Sequence, residues 1–300
     1  MPPQAKTPLQ KRRALAVKRG VTSNHYDFSH ICRQKPDRIG IVAEGDSWFA
    51  YPRKWIELGA DINIVHHLQS RVSGTGKVNL LRLASNGDEA VDMTSGKQFK
   101  FLYKTLKRNA RHIRLLLFSG GGNDIIGKDS MPPLLKKFQP GFSFEQCIEM
   151  DRFEEKMASI ILSYRRLVHL CEDVIPDAHI ITHTYDITQP SAQGAEFFWG
   201  LIKTDPWIYP YLKDREIPVE HHLPIMKFML GELSKRLISL ASEPSLGGRL
   251  VVVRTQGTLT PGSKSDWLNE IHPTEKGFKK IFEKIYARMK DLEPELPSQN

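Results

Sequence analysis

Four short segments carry residue types that could do chemistry together. In Glu44-Gly45-Asp46-Ser47-Trp48-Phe49, a serine follows a glycine that permits a tight turn. A serine at a strand-to-helix turn can present its hydroxyl at a helix N-terminus, where oriented N–H groups stabilise negative charge. The same placement also suits a plain helix cap. It is not the G-x-S-x-G elbow of the α/β-hydrolases, because Phe49 stands where the second glycine belongs. Ala84-Ser85-Asn86-Gly87-Asp88 offers a glycine that can expose a bare backbone N–H or simply turn the chain. Ser119-Gly120-Gly121-Gly122-Asn123-Asp124 combines three glycines, which allow close approach of a ligand, with a neutral amide donor suited to an oxyanion. Asp266-Trp267-Leu268-Asn269-Glu270-Ile271-His272-Pro273-Thr274 puts a histidine just before a helix start, where its ring could act as general base toward Ser47. The set amounts to a nucleophile, a base and donors for a developing anion.

Elements that would hold these segments together are legible around them. Ile39–Ala43, Val78–Ala84, Ile113–Ser119, His179–Tyr185 and Arg249–Thr255 are short and apolar almost throughout, as strands buried on both faces of a parallel sheet are. Ile62–Leu68 reads as a further extended piece or as part of the first crossover. Helices are predicted over Asp88–Asn109, with a break at Thr94–Gly96, and over Asp151–Asp173, Pro218–Ser242 and Thr274–Lys290. Strand–helix alternation predicts a doubly wound α/β domain. All four segments then fall at the carboxyl ends of strands, the edge where open α/β sheets bind ligands. The connections 127–150 and 188–219 are long, and the second is rich in aromatic residues. Such loops serve as lids and substrate walls or only pad the fold.

The GDS at 45–47, the glycine at 87, the GND at 122–124 and the HP at 272–273, in that order, resemble the SGNH (GDSL-type) hydrolase superfamily across roughly residues 39–290. Trp48 after the GDS and the SGGGND form of the third motif mark an unusual branch. The resemblance implies a flavodoxin-like three-layer α/β/α fold with a doubly wound, mostly parallel sheet. It implies a carboxylic ester hydrolase, cleaving an acyl or O-acetyl ester, with Ser47 as nucleophile and His272 as base. Backbone N–H groups of Ser47 and Gly87 and the side chain of Asn123 would form the oxyanion hole. Trp48 and Trp267 would contact substrate, and no metal or organic cofactor is called for. The family usually has aspartate three residues before the histidine, where this chain has Asn269. Asn269, Asp266 or a backbone carbonyl would then orient the imidazole. The weaker support that an amide gives an imidazolium leaves a rival open: a catalytically weak binding protein that keeps the fold and holds a polyanion through a basic arm.

That arm is residues 1–38, with nine Lys/Arg against two acids, a net +7 beside +2 for the rest of the chain. It is read as a flexible segment, the domain as 39–290, and 291–300 as a flexible tail. The basic segment is either a polyanion-binding arm or a solvated leader, and its lack of interleaved aromatic residues favours the latter. The chain's 300 residues, 40% hydrophobic and 26% charged, are ordinary globular composition. No apolar run is long enough to span a bilayer, so no integral membrane association is expected. The N-terminal stretch lacks the apolar core of a secretory signal, which points to a cytoplasmic address and leaves export by another route open. Cys32, Cys147 and Cys171 form neither a disulfide framework nor a zinc pattern. Ser73-Gly74-Thr75-Gly76-Lys77 falls short of a phosphate loop, since Arg71 and Val78 replace required residues. The pairs His66-His67 and His221-His222, and His179 with His183, do not read as metal sites.

Overall fold

Runs that are apolar on both faces need neighbours on both sides, and in the computed structural model they pair in parallel. The structure describes residues 6–51, 62–192, 196–197, 202–203 and 206–298. In chain order its elements are α1 (Pro8–Arg19), β1 (Val21–Thr22), α2 (His25–Gln34), β2 (Ile39–Gly45), α3 (Ser47–Ala50), α4 (Ile64–Val72), β3 (Val78–Arg82), α5 (Ala90–Met93) and α6 (Gly96–Asn109). They continue with β4 (Ile113–Ser119), α7 (Gly122–Ile125), α8 (Met150–Val174), β5 (His179–His183), β6 (Glu196–Phe197), β7 (Ile202–Lys203), α9 (Tyr209–Asp214), α10 (Val219–Ala241), β8 (Leu250–Val253) and α11 (Glu275–Leu292). The six-stranded sheet runs β1-β3-β2-β4-β5-β8, every pair parallel; β6 and β7 form a separate antiparallel ribbon.

The order explains the layering. From β2 the chain crosses to β3 on one side, then passes back over β2 to β4 on the other. Right-handed crossovers in opposite directions must lie on opposite faces. Accordingly α4 packs with α11, while α1, α2, α6, α8 and α10 contact one another in succession. All seven residues of β2 are buried, and the core stripe of α8 (Phe153, Met157, Ile160, Tyr164, Leu167, Cys171) is fully buried with them. Progression reverses beside β2, so a crevice opens between the carboxyl ends of β2 and β4. This three-layer arrangement is the expected one.

Several details differ from expectation. The basic N-terminal segment is part of the fold from Pro8 onward, not a flexible arm. β1 adds an edge strand beside β3, and Phe28, Ile31 and Cys32 of α2 are fully buried. Burying that apolar stripe outweighs the repulsion among cations that stay solvated on the outer surface. The C-terminal segment also packs through residue 298. Leu296 is buried, Tyr286 Oη donates to the Pro297 carbonyl at 2.6 Å, and Lys290 Nζ donates to the Leu296 carbonyl at 2.9 Å. Of the two readings of Ile62–Leu68 the crossover holds: Ile64–Val72 form α4 between β2 and β3, capped by Asn63, which accepts from the His66 N–H at 2.7 Å. All three cysteines are buried and in no disulfide. No helix among the described residues is long and apolar enough to cross a membrane.

Candidate active site

Ser47 opens α3 directly after β2. Gly45 lets the two strands close here: a Cβ on it would sit 2.7 Å from the Ser119 carbonyl oxygen, to which the Asp46 N–H donates at 3.0 Å. Asp46 caps α3 by accepting from the Trp48 N–H at 3.0 Å. Its carboxyl also accepts from Ser119 Oγ at 2.9 Å and from the Tyr185 hydroxyl. Full burial pushes that carboxyl up to about 7, while the Tyr185, Trp48 and Ser119 donors pull the other way. Ser119 gives its proton to Asp46, so His183 Nε2, 3.0 Å from Ser119 Oγ, is the donor of that contact. Burial lowers His183 to about 4, so its ring is neutral, and Trp48 stacks on it with centroids 5.3 Å apart. The turn that carries Ser47 therefore rests on a buried polar network drawn from the ends of β4 and β5 and the residues just after β2 and β5.

His272 lies in the loop between β8 and α11. Thr274 caps α11 through the Gly277 N–H at 3.0 Å, and the Thr274 N–H returns to the Asp266 carbonyl at 2.8 Å. A side chain at Gly277 would collide with that carbonyl. The loop so closed brings His272 Nε2 to 2.9 Å from Ser47 Oγ. On the other ring nitrogen, Nδ1 is 3.2 Å from Asn269 Oδ1. The same oxygen accepts the backbone N–H groups of Ile271 at 3.1 Å and His272 at 2.9 Å, and Asn269 Nδ2 donates to Tyr51 Oη at 3.1 Å. Those partners fix which end of the amide faces the ring. Nδ1 must then carry the proton, which leaves the Nε2 lone pair toward Ser47. Burial pushes His272 down to about 3, so the imidazole is neutral.

Asp266 is not the partner of His272. Its carboxylate pairs with Lys280 Nζ at 2.6 Å and accepts from the Thr260 N–H at 3.0 Å. Burial acts to raise it, yet Lys280 and that N–H hold it below the usual carboxylate range. Six residues of separation in a closed loop carry it to the α11 side, away from the ring.

Ser47, Trp48, Asn123 and Trp267 line one cleft together with Gly122 and Tyr185. Asn123 Nδ2 donates to the Asp88 carbonyl at 3.0 Å, which ties the Gly87 turn to α7 and leaves a second N–H on the same nitrogen. Gly87 adopts φ +84°, a left-handed conformation that suits glycine. Trp48 and Trp267 are themselves mostly buried, so each shows the cleft only part of its ring. Among the described residues, no three His, Cys, Asp or Glu side chains are grouped to hold a metal.

Sequence reasoning placed none of three residues beside the histidine, although it noted Tyr51 and Trp207 as aromatic residues that could wall a substrate site. Tyr51 stacks on the His272 ring at 3.9 Å as well as bonding Asn269. Trp207 meets the ring edge-on at 5.3 Å. Glu270 is buried, and its two oxygens accept the N–H groups of Ser191, Trp207, Ile208 and Tyr209 at 3.1, 2.5, 2.8 and 2.8 Å. A charged residue between Asn269 and His272 was the available signal, since burial of a carboxylate demands such partners. Of the aromatic residues noted in the long second loop, Phe198 and Trp199 lie outside the described residues.

No family model matches the sequence, and no curated protein is significantly similar to it. Solved structures do resemble the fold. An extracellular lipase from Streptomyces rimosus is 14% identical with a TM-score of 0.52, over 83% of this chain and 99% of that one. The lipase Lip_vut3 from a goat rumen metagenome is 15% identical with a TM-score of 0.51, over 83% and 96%. The aryl esterase of M. smegmatis is 14% identical with a TM-score of 0.50, over 85% and 99%. At these identities the likeness establishes the fold alone, one shared with these lipases and this esterase.

Proposed function

We propose that this chain is a serine hydrolase acting on carboxylic esters. The contact of His272 Nε2 with Ser47 Oγ at 2.9 Å, with Asn269 Oδ1 on the opposite ring nitrogen, carries the reading. Ser47 Oγ attacks the ester carbonyl carbon while His272 Nε2 takes its proton. The carbonyl oxygen becomes an anion held by the backbone N–H groups of Ser47 and Gly87 and by the remaining N–H of Asn123. Collapse expels the alcohol, protonated by His272, and leaves an acyl group on Ser47. A water gives its proton to His272 and attacks the acyl carbon; the acid leaves and Ser47 recovers its proton. Neighbouring folds among lipases and esterases support the same chemistry at low identity. Treatment of the protein with a fluorophosphonate, read by intact mass, tests it. A single adduct mapping to Ser47 is the expected result, and an unlabelled folded protein overturns the proposal.

The amide at 269 sets a second expectation. It orients the ring without placing a negative charge beside the imidazolium that forms in the transition state. Asn269→Asp adds that charge, and the Tyr51 hydroxyl can reverse to donate to it. Turnover of a small soluble ester should rise about tenfold or more. The added carboxylate also raises the His272 pKa. In the unmodified protein the acid limb of kcat/KM lies well below the ordinary histidine value of 6.5, and in the variant it moves upward. A marked fall in turnover, or an unmoved acid limb, would show that Asn269 does not orient the base.

A further inference from the structure

The cations that the sequence collects near its N-terminus do not form a tail. They join a second set of cations on the same face of the sheet. Residues 6–35 hold eight Lys/Arg against one acid, and residues 96–112 hold six against none. The two segments carry +13, more than the +9 of the whole chain. On α6 a narrow stripe of Leu102, Thr105, Leu106 and Asn109 is buried, while Lys97, Lys100, Lys104, Lys107 and Arg108 all face solvent. On α1 only Ala16 is buried.

Contacts make these helices one surface. Arg12 Nε pairs with Asp27 of α2 at 2.7 Å. His25 of α2 meets Phe101 of α6 edge-on at 4.9 Å, and the Arg108 guanidinium lies 5.2 Å over the Tyr26 ring. Between the C-terminal ends of α2 and α6 runs a groove lined by Arg33, Lys107, Arg108 and Arg111 together with Ser29 and Asn109. None of those four cations faces a carboxylate among the described residues. Lys107 donates to Tyr103 Oη and Arg111 to His112 Nε2, while Arg108 lies over Tyr26. Cations at a helix C-terminus answer its dipole, which accounts for Lys107 and Arg108. It does not account for Lys97 and Lys100, or for Lys11.

The same surface is also apolar. Of the eight large hydrophobic side chains most exposed among the described residues, five lie on these helices: Leu9, Leu15, Tyr26, Phe101 and Tyr103. Cations interspersed with exposed leucine and aromatic side chains match a lipid–water interface, where rings and leucines enter the headgroup layer and cations meet phosphate. Single-stranded nucleic acid would use open ring faces, but cations lie over Tyr26 and Tyr103, and leucine does not stack on bases.

We propose that the α1–α2–α6 face docks on the surface of an anionic lipid bilayer. It holds the protein peripherally, with the apolar side chains in the headgroup layer and the basic groove on lipid phosphates. Nothing in this placement depends on the reaction assigned to Ser47. The test is flotation of the full-length protein with vesicles of phosphatidylcholine alone and with vesicles about one third phosphatidylserine. Binding to the second only, lost at high salt, is expected. Each cation removed should weaken partitioning on the order of fivefold. The combined Lys104→Glu, Lys107→Glu and Arg108→Glu variant should not float, and Leu15→Ala with Phe101→Ala should bind less tightly at unchanged charge. Circular dichroism checks that each variant is folded. Equal or absent binding to the two vesicle types overturns the proposal. So does tight binding of a single-stranded oligonucleotide, sensitive to the triple variant, by a protein that ignores both vesicles.

Discussion

Ser47→Ala should lower ester turnover by about 10⁴- to 10⁶-fold while leaving the far-ultraviolet circular dichroism unchanged. The size follows from the role. Without Oγ there is no atom to form the acyl intermediate, and the oxyanion donors alone retain only a small rate advantage over water. The structural cost is small, because the alanine keeps the Asp46 cap and the short helix begun at 47. What is lost is one hydrogen bond to His272, about 1 kcal/mol. Initial rates on a soluble aryl ester, with active protein counted by its unfolding transition, measure the effect. A loss under tenfold would mean that another group is the nucleophile.

Glu270→Gln should cost about 2–4 kcal/mol of stability and reduce turnover as well, although it changes no volume. Each oxygen of Glu270 faces two backbone N–H groups, Ser191 and Tyr209 on one and Trp207 and Ile208 on the other. An amide must turn its NH₂ toward one of those pairs, so two buried donors lose their acceptor and oppose another donor. Burial pushes the carboxyl up to about 7 against the pull of the four N–H groups, so both effects meet at this residue. The Glu270 backbone carbonyl also accepts from the Thr188 hydroxyl, so one residue ties both ends of the long loop to the strip bearing His272. Slackening it frees Trp207 from the imidazole edge. Chemical unfolding should show a lower midpoint, and kcat should fall more than KM rises. A variant as stable and active as the parent would show that the loop is held by other contacts.

The chain's own pattern determined a good deal. Local apolar runs define β2, β3, β4, β5 and β8, and three- and four-residue spacing defines α8, α10 and α11, because these signals depend only on neighbours a few residues away. Strand alternation with helices determines the layers, and the positions of Ser47, Asn123 and His272 at strand ends determine that they share an edge. Tertiary structure alone decided the rest. Tyr51 and Asn269 are 218 positions apart, and no local period links them. The choice of Asn269 over Asp266 turned on Lys280, a helix position that claims the aspartate. The basic first segment was hidden by its charge, since α2 shows only a short apolar stripe and β1 only two residues, and their burial depends on β3 arriving from elsewhere in the chain. Its alignment with α6, and so the charge of that whole face, arises only when helices distant in sequence pack side by side: periodicity is a local property of the chain, whereas the company a side chain keeps is set by long-range packing.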